Sequence, residues 1–78
     1  MYTGNYECLE LFVKPEAGKK GSVSLKKIKE NKTEIKELQH IYGNWIKFQT
    51  DKDTEYEITA QDCTITFAYL SECENILK

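Results

Sequence analysis

Alternating apolar residues predict a β-strand near the start of the chain. This strand covers residues 5–13 and ends before Pro15, because proline cannot donate to a β-ladder. The residues on its aliphatic face are Leu9, Leu11 and Val13. Its other face is also partly apolar, through Cys8 and Phe12, and this predicts a sheet that is covered on both sides.

The segment 22–42 combines features of a strand and of a helix. Val23 and Leu25 alternate with serines, which predicts a short strand near 21–26. The residues that follow predict a helix near 31–42, because the apolar positions are spaced as on one helical stripe. These positions are Leu25, Ile28, Ile35, Leu38 and Tyr42.

Capping signals stand at both ends of the predicted helix. Asn31 followed by Glu34 has the spacing of a capping box, and Gly43 stands where glycine commonly ends a helix. A rival interpretation uses the same glycine. The dipeptide Gly43-Asn44 is typical of a two-residue hairpin turn, which would make this region part of an all-β meander or small barrel.

The second half of the chain predicts three more strands, over 44–50, 54–59 and 63–70, separated by polar turns at 51–53 and 60–62. Alternation places their larger apolar side chains on one face of an antiparallel meander. The residues of this face are Ile46, Phe48, Tyr56, Ile58, Cys63, Ile65, Phe67 and Tyr69.

Together these elements predict a single small α+β domain over 1–78, an antiparallel meander of about four or five strands covered by one helix. The all-β barrel or meander is the alternative. Ser71 and Glu74 also have capping-box spacing, which predicts a short terminal helix through Leu77. No apolar run approaches the roughly 18–20 residues that a membrane span needs.

Charge is distributed unevenly along the chain. The formal net charge is −2, all eleven cations are lysines, and the segment 14–36 carries eight of them against three glutamates. Such a segment is typical of a solvated surface, but it can also attract a polyanion. The absence of arginine argues against recognition of DNA sequence. Salt-sensitive, non-specific nucleic-acid binding through Lys19, Lys20, Lys26, Lys27, Lys29 and Lys32 is therefore the alternative function.

Reactive side chains are few and scattered. Cys8, Cys63 and Cys73 form an odd set without a C-x-x-C pair, which favours reduced thiols and a cytoplasmic protein. The single histidine, His40, has no neighbouring cysteine with the spacing of a zinc-ligand pair, and nothing in the sequence orients it as a catalytic base. We expect no enzymatic activity, no metal and no cofactor.

Aromatic residues are the strongest remaining signal. Trp45 projects from its predicted strand on the side opposite Ile46 and Phe48, and tryptophan and tyrosine dominate protein-binding hot spots. An acidic rim follows it over 51–57. The candidate partner-binding residues are Tyr42, Trp45, Lys47, Asp51, Asp53, Glu55 and Glu57.

These observations predict a non-catalytic, cytoplasmic module that binds a protein partner. Compact single domains without catalytic groups are typical of proteins from phages and mobile elements, which favours an inhibitor or regulator of a host protein, of the anti-defence class. Nucleic acid is the alternative partner, and no membrane association is expected.

Overall fold

The computed structural model describes residues 1–38 and 45–73, and within them the chain forms six β-strands and no helix. The strands are β1 (Cys8–Pro15), β2 (Ser22–Lys27), β3 (Lys32–Glu37), β4 (Trp45–Gln49), β5 (Tyr56–Gln61) and β6 (Cys63–Ser71). Every pairing between them is antiparallel. A search of these same residues finds no membrane-spanning helix.

The strands form two three-stranded sheets, ordered β4-β1-β6 and β3-β2-β5. Residues from both sheets meet in one buried cluster, so the molecule is a small β-sandwich. The cluster contains Leu9, Leu11, Val13, Val23, Leu25, Leu38, Ile46, Phe48, Tyr56 and Cys63. β1 and β2 are the two central strands, and their alternating aliphatic residues supply half of this core.

The predicted helix over 31–42 is wrong, and so is the α+β class, whereas the all-β alternative fits. Strand β3 occupies part of this segment and forms one edge of its sheet. Its lysines and glutamates suit a solvated edge as well as a helix, and Ile35 is 65% exposed. Asn31 does not cap a helix; its φ of 54° lies in the left-handed region, in the turn between β2 and β3.

The predicted meander is wrong in its pairing, although its three strands agree with the observed ones to within two residues. β4 and β6 lie on either side of β1, where Trp45 and Phe67 are both opposite Phe12. β5 instead lies beside β2. The turns at 51–53 and 60–62 therefore connect strands of different sheets. Among the six described strands, only β2 and β3 are both consecutive in sequence and paired with each other.

Two further predictions fall partly or wholly on residues beyond the described ranges. The hairpin turn at Gly43-Asn44 lies outside them, as does most of the predicted terminal helix. The first residue of that helix, Ser71, is the last residue of β6.

The corner between β5 and β6 is a single residue, Asp62, with a left-handed φ of 59°. Gly21, which immediately precedes β2, packs closely against the same corner. A Cβ on Gly21 would lie 2.7 Å from Leu38 Cδ1 and 2.8 Å from Cys63 Cβ, so only glycine fits here.

The N-terminal residues hold the connection between β4 and β5. The Met1 amino group donates to the Tyr56 carbonyl at 2.9 Å, and the Tyr56 N–H donates to the Met1 carbonyl at 2.7 Å. The buried Thr3 hydroxyl donates to the Asp51 carbonyl at 2.6 Å and accepts from the Thr54 N–H at 2.9 Å. The N-terminus thus satisfies the polar backbone of this connection.

Candidate functional site

The outer faces of the two sheets differ in chemistry. On the β3-β2-β5 sheet, the outward side chains apart from Ile35 are polar or charged: Ser22, Ser24, Lys26, Thr33, Glu37, Glu57, Thr59 and Gln61. On the β4-β1-β6 sheet, four large aromatic side chains are exposed instead. We call them the aromatic face, and they are Phe12, Trp45, Phe67 and Tyr69.

The aromatic face is one continuous surface across three strands. The ring of Phe12, on the central strand, lies 6.3 Å from that of Trp45 and 6.2 Å from that of Phe67, between centroids. Phe67 and Tyr69 are 5.4 Å apart. The exposed fractions are 41% for Phe12, 55% for Trp45, 56% for Phe67 and 39% for Tyr69. Contiguous exposed aromatic surface of this kind is typical of an interaction site.

A β-bulge in β6 creates the aromatic face. Phe12 pairs with Phe67, but the next residue of β1, Val13, pairs with Ile65, so Thr66 is the extra residue. The Thr66 hydroxyl donates to the Phe12 carbonyl at 3.0 Å. Because one residue is inserted, the alternation reverses: Ile65 packs against the core, whereas Phe67 faces outward. The prediction that Phe67 and Tyr69 share the core face is therefore wrong.

The carboxylate of Glu10 lies between the rings of Trp45 and Tyr69 and accepts hydrogen bonds from both. Glu10 Oε1 accepts from the Tyr69 hydroxyl at 2.8 Å and from the Trp45 indole N–H at 3.2 Å. Its Oε2 accepts from the Ser71 hydroxyl at 3.3 Å. Glu10 thereby orients side chains on both flanking strands. Its Oε2 can still accept a further hydrogen bond from a partner molecule.

These hydrogen bonds change the acidity of both partners. The bond from Tyr69 lowers the pKa of Glu10 below its usual value, with Ser71, Trp45 and the charge of Lys47 acting in the same direction. The same bond raises the pKa of Tyr69, because the phenolate would face a carboxylate. At neutral pH the face thus combines an ionised Glu10 with a neutral Tyr69.

Two of the predicted partner-binding residues belong to this sheet. Trp45 is part of the aromatic face, and Lys47 lies two residues further along β4, opposite Glu10 on β1. Tyr42 lies outside the described residues. Glu57 lies on the outer face of the other sheet, beside Lys26.

The remaining predicted acids contact the protein itself. Asp53 accepts from the Tyr2 hydroxyl at 3.0 Å, which raises the pKa of Tyr2. Glu55 lies 3.2 Å from the N-terminal ammonium of Met1. Asp51 pairs with the ammonium of a lysine on β2. Asp53 and Glu55 thus help to hold the chain start, Asp51 contacts β2, and the structure brings none of the three to the aromatic face.

The lysines of the alternative nucleic-acid site are divided between the two ends of β2. Lys19 and Lys20 lie in the loop before β2, and the others lie at or beyond its far end, after a strand that rises about 3.3 Å per residue. Lys27 contacts the carboxylates of Asp51 and Glu30, and the hydrogen bond to Asp51 is the main cause of its raised pKa. The remaining members are Lys26, Lys29 and Lys32.

The cysteines differ from the expected set of three reduced thiols. Cys8 and Cys73 form a disulfide with a Cα–Cα distance of 5.1 Å, and Cys63 is a free, buried thiol. Cys63 Sγ donates to the Ser22 carbonyl at 3.4 Å. The expectation of three reduced thiols is therefore wrong, and the cytoplasmic location stays a prediction.

Sequence reasoning missed Glu10, Phe12, Phe67 and Tyr69 as site residues. Phe12 could have been predicted, because in a strand it lies on the face opposite Leu11 and Val13. Comparison with known proteins adds no assignment: no protein-family model matches the chain, and no curated protein or solved structure matches it either.

Proposed function

We propose that this chain is a non-catalytic protein-binding domain that holds one partner protein through the aromatic face. A domain of this kind acts as a regulator or inhibitor by occupying a surface of its partner. The observation that carries the proposal is the exposure of four aromatic side chains around an ionised carboxylate, on one face of the β4-β1-β6 sheet.

The chemistry of the face favours a protein partner over a polyanion. Large aromatic side chains supply most of the binding energy at protein interfaces, and they lose little conformational entropy because few bonds rotate. Glu10 repels phosphate, but it can accept from an arginine, a lysine or a backbone N–H of a partner. We therefore expect the partner to present apolar side chains around a hydrogen-bond donor that reaches Glu10.

The geometry of the face also supports tight packing. Trp45 and Tyr69 are both tied to Glu10, so two of the four rings are already fixed before binding. Fixed side chains reduce the ordering cost of association. The outer face of the other sheet, by contrast, offers one exposed aliphatic residue, Ile35, among polar ones.

The test compares three immobilised proteins in extracts of the cells that carry the gene: the natural chain, Trp45→Ala and Ile35→Ala. Trp45→Ala removes an anchor of the aromatic face, whereas Ile35→Ala removes another largely exposed apolar side chain, from the other sheet. A protein that the natural chain and Ile35→Ala retain, and that Trp45→Ala loses, is the partner. With that protein purified, Trp45→Ala should weaken the affinity by about 30-fold or more, as for a hot-spot residue.

The outcome that contradicts the proposal is equally specific. A purified partner that binds Trp45→Ala and Phe12→Ala as tightly as the natural chain would place the contact elsewhere. Recovery that disappears after nuclease treatment, or that falls steeply between about 50 and 200 mM salt, would favour binding of nucleic acid through the lysines.

A further inference from the structure

Each sheet leaves two edge strands, and three of these four edges are protected against pairing with another chain. β3 carries four charged residues among its six. On β4, Lys36 Nζ donates to the Lys47 carbonyl at 2.6 Å. On β5, Met1 exchanges backbone hydrogen bonds with Tyr56 at the beginning of the strand, and Glu57 adds a charge. Charges and caps of this kind keep edge strands from pairing with other molecules.

The fourth edge strand, β6, has a different composition. Its nine residues, CTITFAYLS, contain no charged residue, no proline and no glycine, and they are rich in β-branched and aromatic side chains. No described residue pairs with its outer edge. The bulge at Thr66 interrupts the first part of the strand, which leaves Phe67–Ser71 as the regular segment open to pairing.

We propose that β6 is a self-association edge, at which two copies of this chain pair antiparallel through Phe67–Ser71 and join their sheets into one of six strands. A second copy fits this edge because both sides are uncharged, so a two-fold pairing brings no like charges together. An antiparallel pair is also the arrangement in which one strand can match itself around a two-fold axis.

The pairing continues the aromatic face across the dimer. In the register centred on Ala68, the outer faces stay together and Phe67 of one copy lies directly opposite Tyr69 of the other. Aromatic cross-strand pairs stabilise antiparallel sheets. Since the paired segment is only five residues long, the interface is small, and we expect a dimer that dissociates at micromolar concentration.

Sedimentation equilibrium of the full chain tests the proposal over micromolar to millimolar concentration. The mass should rise from 9.1 kDa towards twice that value as concentration increases. Ala68→Lys places a charge at an exposed position in the middle of the pairing segment, and it should shift the dissociation constant at least tenfold upward. Ile35→Lys, which adds the same charge on an edge that is already charged, should leave dimerisation unchanged.

Hydrogen exchange gives a second measurement that needs no variant. Backbone amides within Phe67–Ser71 should gain protection as protein concentration rises, whereas those of β4 should not. A mass that stays at 9.1 kDa at millimolar concentration overturns the proposal. The proposal is also overturned if Ala68→Lys folds and still dimerises. Loss of the dimer in Trp45→Ala overturns it too, because it would show that the two copies associate through their aromatic faces and not through the edges of β6.

Discussion

The hydroxyl of Tyr69 lies 2.8 Å from Glu10 Oε1, across the pairing of β6 with β1, and this contact joins the Glu10 carboxylate to the aromatic face. The Trp45 N–H reaches the same oxygen from the other flanking strand. One carboxylate therefore orients side chains from both neighbours of the central strand.

We expect Glu10→Gln to lower the pKa of Tyr69 towards the ordinary tyrosine value of about 10, because the negative neighbour is removed. A spectroscopic titration of the phenolate measures this, with Tyr69→Phe as the control that identifies its signal among the tyrosines. If Tyr69 titrates identically in the natural chain and in Glu10→Gln, the two groups do not interact in solution.

Acid should remove the contribution of Glu10 to stability. Its pKa is lower in the folded chain than in the unfolded one, so the contribution is present above the unfolded value of about 4.3 and is lost as the pH falls through the folded value. We expect the difference in unfolding free energy between the natural chain and Glu10→Gln to shrink across this range. Denaturant unfolding at several pH values tests this, and a constant difference would contradict it.

Deletion of Thr66 should destroy the aromatic face. Without the extra residue, either Cys63 and Ile65 leave the core or Phe67 and Tyr69 turn inward. We expect loss of the Phe12–Phe67 ring contact in nuclear Overhauser spectra, together with strong destabilisation. Thr66→Ala is the matched control: it keeps the bulge, removes only the hydrogen bond to Phe12, and should cost about 1 kcal/mol or less.

Two phenylalanines should respond very differently to truncation. Phe48 is fully buried, so Phe48→Ala should lower the free energy of unfolding by about 3–5 kcal/mol. Phe12, at 41% exposed, loses less burial, and Phe12→Ala should cost about 1–2 kcal/mol. Denaturant unfolding of both variants measures the contrast. Equal losses would mean that the aromatic face supports the fold as much as the core does.

The disulfide between Cys8 and Cys73 spans 65 residues, and closing so long a loop restricts the unfolded chain strongly. We expect Cys73→Ala to lower the free energy of unfolding by about 2–4 kcal/mol. Reductant should destabilise the natural chain by a similar amount and leave Cys73→Ala unaffected. If reductant leaves the unfolding curve of the natural chain unchanged, the Cys8–Cys73 disulfide does not stabilise the fold as expected.

The positions of the strands could be predicted from the sequence better than the way in which they pair. Alternation located five of the six strands, since burial of one face leaves a period of two. It failed for β3, where Ile35 faces water and the lysines and glutamates of a solvated edge are equally good in a helix. Pairing could not be predicted, because local turn residues do not specify whether a chain returns to its own sheet or crosses to the other.

The aromatic face could not be predicted from the sequence because of the bulge in β6. A bulge adds one residue without any distinctive sequence, so strict alternation assigned Phe67 and Tyr69 to the core with Ile65. Trp45 was found because its strand is regular and its neighbours Ile46 and Phe48 are buried. The role of Glu10 depends on contacts with residues 35 and 59 positions away in sequence, which no local pattern reveals.

The β4-β1-β6 sheet takes its strands from residues 8–15, 45–49 and 63–71, so its three strands are synthesised far apart in time. During translation, β4 can pair with one edge of β1 as soon as it has emerged, but the other edge stays open until β6 leaves the ribosome. A ribosome-bound chain that ends before residue 63 has half of the rings and no Tyr69 to orient Glu10. The complete aromatic face, on which the proposed partner binding depends, therefore forms only after Tyr69 has been synthesised.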